Sequence, residues 1–313
     1  MDFEIHIGEW VSAAVEFMVD NFGPFFDAIS GAVGLVAETV EDGLLALPIW
    51  LLALILVGIG LWRVGWRFAL FTAIALVLIV GMGLWEASIS TLALVLSASF
   101  VALLLGIPLG IAMAKNDMVA TAVRPVLDFM QTMPPFVYLI PAVMFFGLGK
   151  VPGTIATLVF AMPPVVRLTN LGIRQVSVEN VEAGLAFGCT DRQLLFKVQL
   201  PLAMPSIMAG VNQTIMLALS MVVIASMIGA GGLGNTVLTG IQRLNVGLGF
   251  EGGLGVVILA IILDRITQSF GQRSSLFAAL RNFFGPRRQT ANTGDEAKSS
   301  SREPSPAVRR GAR

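Results

Sequence analysis

Seven apolar runs divide the chain: Ala46–Trp62, Trp66–Trp85, Ala87–Ala114, Pro125–Gly149, Val151–Thr169, Leu202–Ile228 and Gly252–Phe270. A helix needs about 20 residues to cross a hydrocarbon layer of roughly 30 Å. A segment in lipid must satisfy its own backbone hydrogen bonds, and these runs lack the period-two alternation of barrel strands. The pattern therefore predicts an all-α integral membrane protein with about seven transmembrane helices.

The polar segments between and around the runs predict the remaining organisation. Residues 1–45 interleave Phe17, Phe22, Phe25, Phe26, Val33 and Leu35 with acidic positions. They read as one or two amphipathic helices, broken at Gly23-Pro24, on the membrane surface or on the protein's own outer face. Residues 46–85 carry two N-terminal spans, and residues 86–271 form a core interrupted by the loop 171–201. Within that loop Asn180 is expected to cap a helix over Val181–Phe187, and Gly188 to break it. Asp191 is expected to cap a second run, Arg192–Gln199, that Pro201 closes. A polar helix–Gly–helix hairpin in so apolar a chain implies something that docks on it. The tail 272–313 is almost free of large apolar residues from Gly285 on and reads as disordered.

Composition sharpens this picture: 56% of the 313 residues are hydrophobic and 13% charged, too little polar surface for a water-soluble core. The net charge of zero conceals a segregation, with nine Asp or Glu and no Lys or Arg in residues 1–45 and ten Lys or Arg in residues 265–313. With the N-terminus outside, the inner loops collect Arg63, Arg67, Lys115, Arg124, Arg167, Arg174, Arg192, Lys197 and the C-terminal ten. Lys150 and Arg243 alone remain outside, so N-out/C-in is the expected orientation. The start, MDFEIHIGEW, lacks the basic region of a cleavable signal peptide.

Candidate chemistry is sparse. One cysteine, Cys189, and one histidine, His6, supply neither a disulfide framework nor a metal-ligand cluster. The chain has no G-x-x-x-x-G-K-[ST] loop, so energy for transport must come from a partner or an ion gradient. Gly229–Gly234 satisfies G-x-G-x-x-G but follows a span rather than a strand, and reads as an outer hinge. Asp128 is expected to pair with Arg124 one turn earlier. Asp264-Arg265 reads as snorkelling and packing. A secondary transporter would place an acidic residue at mid-depth, which the central spans lack. An intramembrane enzyme would need a nucleophile–base or metal set that is also missing.

One motif carries more. Glu182-Ala183-Gly184, three residues, Gly188, nine residues, Val198, one residue and Leu200-Pro201 resembles the EAA motif of permease subunits of bacterial ABC importers, E-A-A-x3-G-x9-I-x-L-P. Gly184 stands where the motif has Ala, which costs the helix about 1 kcal/mol, and Val198 stands for Ile. The stretches QTMPPFVYLIPAVMFFGLGKVPG (131–153), FAMPPVVRLTNLGIRQV (160–176) and FKVQLPLAMPSIMAGVNQTIMLALSMVVIASMIGAGGLG (196–234) resemble the permease of glycine betaine/proline betaine uptake systems, the ProW-like branch. The likeness covers about residues 46–270.

The resemblance implies a type I-like importer permease in the bacterial inner membrane, working as a homodimer with two cytoplasmic ABC ATPases and an extracytoplasmic binding protein. It implies no nucleic acid partner, and membrane lipid as the surroundings. It also implies no enzymatic activity and no cofactor in this chain, with ATP and magnesium on the ATPase. Glu182, Ala183 and Gly184 would contact the ATPase, Gly188 would allow the turn, and Leu200-Pro201 would begin the next span. Phe136, Tyr138, Phe145 and Phe146 would either offer a cation–π surface to a quaternary ammonium in transit or pack. Glycine betaine, proline betaine, choline and carnitine all remain open as cargo.

Overall fold

Residues 7–271 are described by the structure, a computed structural model. The expectations for His6 and for the tail 272–313 lie outside the described residues. Every described element is helical: α1 (Ile7–Leu45), α2 (Ile49–Arg63), α3 (Trp66–Gly81), α4 (Trp85–Lys115), α5 (Asp117–Thr132) and α6 (Pro135–Phe146) are followed by α7 (Lys150–Arg174), α8 (Val178–Ala186), α9 (Asp191–Leu194), α10 (Leu200–Ser226), α11 (Gly232–Gln242) and α12 (Val246–Gly271).

Four helices are long and apolar enough to cross a membrane: α4, α7, the continuous stretch Asp191–Ser226 and α12. Counting each bent pair as one span raises the number to six; these are Gly8–Leu45 with α2, at 101°, and α5 with α6, at 103°. Helix occupies all seven apolar runs, with four to six candidate spans by length and composition and α3 a shorter apolar helix. The run Pro125–Gly149 splits at Met133-Pro134-Pro135, where Met133 (ψ 132) and Pro134 (ψ 134) are extended. Each precedes a proline, whose ring disfavours the helical region for the residue before it. The hydroxyl of Tyr138 in α6 donates to the Met130 carbonyl of α5 and closes this corner. α3, with 16 residues, rises only about 24 Å.

α1 is two helical arms meeting at a kink at Phe22 (φ −116, ψ 20), directly before Gly23-Pro24 where the break is expected. Pro24 removes one helical donor and its ring crowds the preceding turn, which the bend relieves. The helix packs on the protein. Phe26 stacks on Phe145 with centroids 4.3 Å apart, and Glu41 pairs with Lys150 at 2.7 Å. Its acidic residues Glu9, Glu16, Asp20, Asp27, Glu38 and Asp42 are exposed, and their spacing places them on one helix face.

α7 lies between α4 and α10, and small residues set the spacing. A Cβ added to Gly106 of α4 would meet Val165 Cγ1 at 2.6 Å, and one added to Gly110 would meet Thr169 Cβ and the Val166 carbonyl at 2.7 Å. On the other side, a Cβ on Gly210 of α10 would lie 3.0 Å from Val165 Cα. Helices in lipid gain little from the hydrophobic effect and associate through such close contact. Hydrogen bonds hold both ends of the Gly229–Gly234 segment. Ile228 accepts from the Gly149 amide at 2.8 Å, and the Leu233 amide donates to the buried Thr91 hydroxyl at 2.8 Å. α11, absent from the hydropathy pattern, folds back on α12 through the contact of Gly240 with Gly249.

Candidate functional site

The helices α7 and α10 end in the polar hairpin Val178–Gln199, which the core holds at its base. Arg174 donates to Asn170 Oδ1 at 2.9 Å, to the Met113 carbonyl at 2.7 Å and to Asp117 Oδ1 at 2.6 Å, tying the last turns of α4 and α7 together. Lys115 donates to Gln199 Oε1 at 2.9 Å. Arg63, from the end of α2, donates to the Ser269 carbonyl of α12 at 2.9 Å.

The hairpin's caps differ from the sequence expectation. α8 starts at Val178 after Ser177, whose extended backbone (ψ 143) suits an N-cap, so Asn180 lies inside the helix and donates to Ser177 Oγ at 2.9 Å. Ser177 occupies the cap position without a side-chain capping bond, its Oγ being taken by Asn180. Gly188 takes the left-handed conformation (φ +77) that ends α8. Thr190, not Asp191, caps α9 in a reciprocal box with Gln193.

Pro201 does not close the second arm. α9 runs through a π-helical turn, Leu195–Gln199, directly into α10, giving one helix of 36 residues from Asp191 to Ser226. The Leu200 amide donates to the Leu195 carbonyl five residues back. The widened turn takes up the missing proline donor and the crowding of its ring.

Each motif residue has a distinct place. Glu182 and Ala183 are exposed on α8, and Gly188 is exposed at the tip. Gly184 is buried, and a Cβ there would lie 2.7 Å from Leu194 Cδ1. The glycine that departs from the motif is thus the point at which the two arms touch. Leu200 packs against a cluster of Ile173, Ala203 and Ile207, while Pro201 is exposed. Sequence reasoning passed over Phe187, which is 90% exposed beside Gly188, with Val178, Leu185 and Phe196 also exposed nearby. The available signal was an aromatic residue directly before a turn glycine in a polar loop.

The four aromatic candidates do not form one surface. Phe136 is 52% exposed, Tyr138 is buried, and Phe145 and Phe146 both lie against Phe26 of α1. The Phe26 ring covers a face of Phe145 at an interplanar angle of 9°, which removes that face from any cation. Asp128 pairs with Arg167 of α7 at 2.5 Å rather than with Arg124. Packing of α5 on α7 brings the guanidinium closer than a residue one turn away on the same helix. Asp264 accepts from Asn212 Nδ2 of α10 at 2.9 Å and from Gln268 Nε2 at 2.7 Å. Among the described residues no His, Cys, Asp and Glu cluster suits a metal ion.

A family model described as the binding-protein-dependent transport system inner membrane component matches residues 106–275, from the middle of α4 to beyond α12. The chain belongs to this family. It is 49% identical over 271 residues to the glycine betaine/proline betaine transport system permease protein ProW of Escherichia coli, covering 86% of this chain and 76% of that protein. It is 50% identical to the glycine betaine/carnitine transport permease protein GbuB of Listeria monocytogenes, covering 86% of this chain and 97% of that one. The inward-facing MetNI methionine ABC transporter superposes with a TM-score of 0.52 at 23% identity, over 60% of this chain and 92% of the matched chain, which shows the shared fold. As an inner-membrane transport component the chain is a multi-pass transporter subunit rather than an enzyme.

Proposed function

We propose that the chain is the permease subunit of an ATP-driven importer for quaternary ammonium osmolytes such as glycine betaine or proline betaine. The observation that carries the energy source is the hairpin. Its apolar anchor Phe187 and charged Glu182 are exposed at the end of an element continuous with α10. An aromatic side chain presented on a polar tip is the usual anchor for a partner's pocket. The partner is a cytoplasmic ATPase that binds ATP and magnesium, one for each of two permease copies, while an extracytoplasmic binding protein delivers the cargo. Glu182, Ala183, Gly188 and Phe187 form the docking surface, and Gly184, Leu200 and Pro201 connect it to α10. The orientation is N-out/C-in, which sets the hairpin and the basic residues Arg63, Lys115 and Arg174 inside and the acidic face of α1 outside.

Closure of the two ATPases displaces the hairpin, α10 moves with it as one helix, and the spans open outward. Hydrolysis resets the inward state. The cargo assignment rests on the relatives, whose names include glycine betaine at close to half identity. Carnitine is the second reading, favoured by the likeness to the glycine betaine/carnitine permease over 97% of its length.

Uptake of labelled glycine betaine by vesicles holding the permease, its ATPase and its binding protein tests this directly. Uptake that requires internal ATP and competes with carnitine to a measurable degree fits the proposal. Uptake indifferent to ATP but driven by a sodium or proton gradient would place the chain among ion-coupled secondary transporters.

A further inference from the structure

We infer that a polar groove between α10 and α12 is an intramembrane binding site for the zwitterionic cargo, with Gln213 reading the carboxylate and Asp264 the ammonium. The inference rests on the importer reading above and adds the residues that would hold the cargo within the permease.

Among the exposed positions of α10, Leu202, Pro205, Ala209, Gln213, Met216 and Ser220 fall on one face. α7 borders this face through Gly210 and Gly172, and α12 borders it through the bond from Asn212 to Asp264. Its composition differs from that of the faces α2 and α3 expose, where Leu54, Leu61, Leu70, Ile74 and Val77 offer hydrocarbon alone. A primary amide facing lipid leaves its hydrogen-bonding groups unmet at a cost of several kcal/mol, so Gln213 faces protein or water. Beside it opens a groove of about 460 Å³, within the roughly 300–1,000 Å³ range of small-molecule sites. Pro205, Met208, Ala209, Asn212, Gln213 and Gln268 line it, together with Gly271.

The lining matches a betaine. A quaternary ammonium has no N–H, so it is stabilised by negative oxygens at close range and by walls that accept methyl groups. Asp264 supplies the charge from behind the groove wall, where the lining residues Asn212 and Gln268 hold it by their amides. Asn212 Oδ1 is buried without a hydrogen-bond partner and adds a second oxygen. Met208, Pro205 and Ala209 give the apolar wall. The cargo's carboxylate needs a donor, and the exposed Gln213 amide of the lining supplies one. Gln213 stands twelve residues beyond Pro201 on the same helix, about 18 Å along its axis. Displacement of the hairpin therefore moves the carboxylate contact directly.

The test uses the permease–ATPase complex in lipid nanodiscs without the binding protein, probed with labelled glycine betaine. Choline, which lacks the carboxylate, and 3,3-dimethylbutyrate, which lacks the positive charge, serve as competitors. The wild-type complex is expected to bind glycine betaine saturably and to reject 3,3-dimethylbutyrate. Gln213→Leu, an exposed position whose replacement leaves the thermal midpoint unchanged, should weaken glycine betaine about tenfold, the loss of one charge-assisted hydrogen bond, and leave choline unaffected. Asp264→Asn should remove the discrimination against 3,3-dimethylbutyrate. Absence of saturable binding, or identical competition profiles in wild type and both variants, would overturn the site. ATP-dependent uptake by the same complex with its binding protein would then leave the importer reading standing, whereas no such uptake would remove the reading itself.

Discussion

In the core of α4, α7 and α10, Gly106, Gly110 and Gly210 bring backbones so close that a methyl group has no room. In the hairpin that grows from the same helices, Gly184 and Leu194 are buried and most of the remaining residues of α8 and α9 are exposed. Volume specifies the first region and surface chemistry the second. The two should therefore fail differently: core substitutions unfold the protein, and hairpin substitutions leave it folded and disconnected from its partner.

The largest effect should come from the core. Gly110→Leu forces a side chain into Thr169 and the Val166 backbone, and overpacking of this kind costs about 3 kcal/mol. A clear drop in the thermal unfolding midpoint of the purified protein is expected, and an unchanged midpoint would show that α4 and α7 are not in the contact described. Phe187→Ala sharpens the comparison from the other side. Loss of an exposed anchor should leave the midpoint unchanged but weaken ATPase co-purification by about 2 kcal/mol, some thirtyfold; Glu182→Lys should act in the same direction. A folded Phe187→Ala protein that retains its ATPase at full affinity would remove the docking role of the tip.

Arg174 belongs to both regions, since it holds the end of α4 against α7 at the base of the hairpin. Arg174→Ala should lower stability by about 1–2 kcal/mol through the loss of charged hydrogen bonds. Arg174→Lys should recover part of that, because an ammonium cannot reproduce the planar fork. The smallest effect is expected at the exposed Asp128–Arg167 pair, where Asp128→Asn should change stability by less than about 1 kcal/mol. Stability in high salt should then match that of the wild type more closely than in low salt, which distinguishes a screened surface pair from a buried one.

Much of this was legible in the chain. Apolar runs located α4, α7, α10 and α12, and the spacing from Glu182 to Pro201 located the hairpin. The errors share one cause, which is that a local pattern was read without its neighbours. Asp128 was assigned the nearest arginine in sequence, although α7 delivers Arg167. Of the two readings left open for Phe145 and Phe146, packing is the one α1 supplies, through Phe26. Phe187, 90% exposed, went unnoticed because an aromatic residue is ordinarily buried, and the turn glycine after it was read only as a helix breaker.

The sequence by itself determined that the chain is helical, embedded in the membrane, without a nucleotide loop, and equipped with a polar hairpin. These follow from composition and periodicity, which act over a few residues and survive without tertiary contacts. Only the tertiary structure decided which face of α10 is open, which arginine meets Asp128, why Gly184 replaces the expected alanine, and that Pro201 continues a helix instead of ending one. Each of those depends on atoms far apart in sequence reaching van der Waals or hydrogen-bond distance, and that proximity comes from the packing of whole helices rather than from any local pattern.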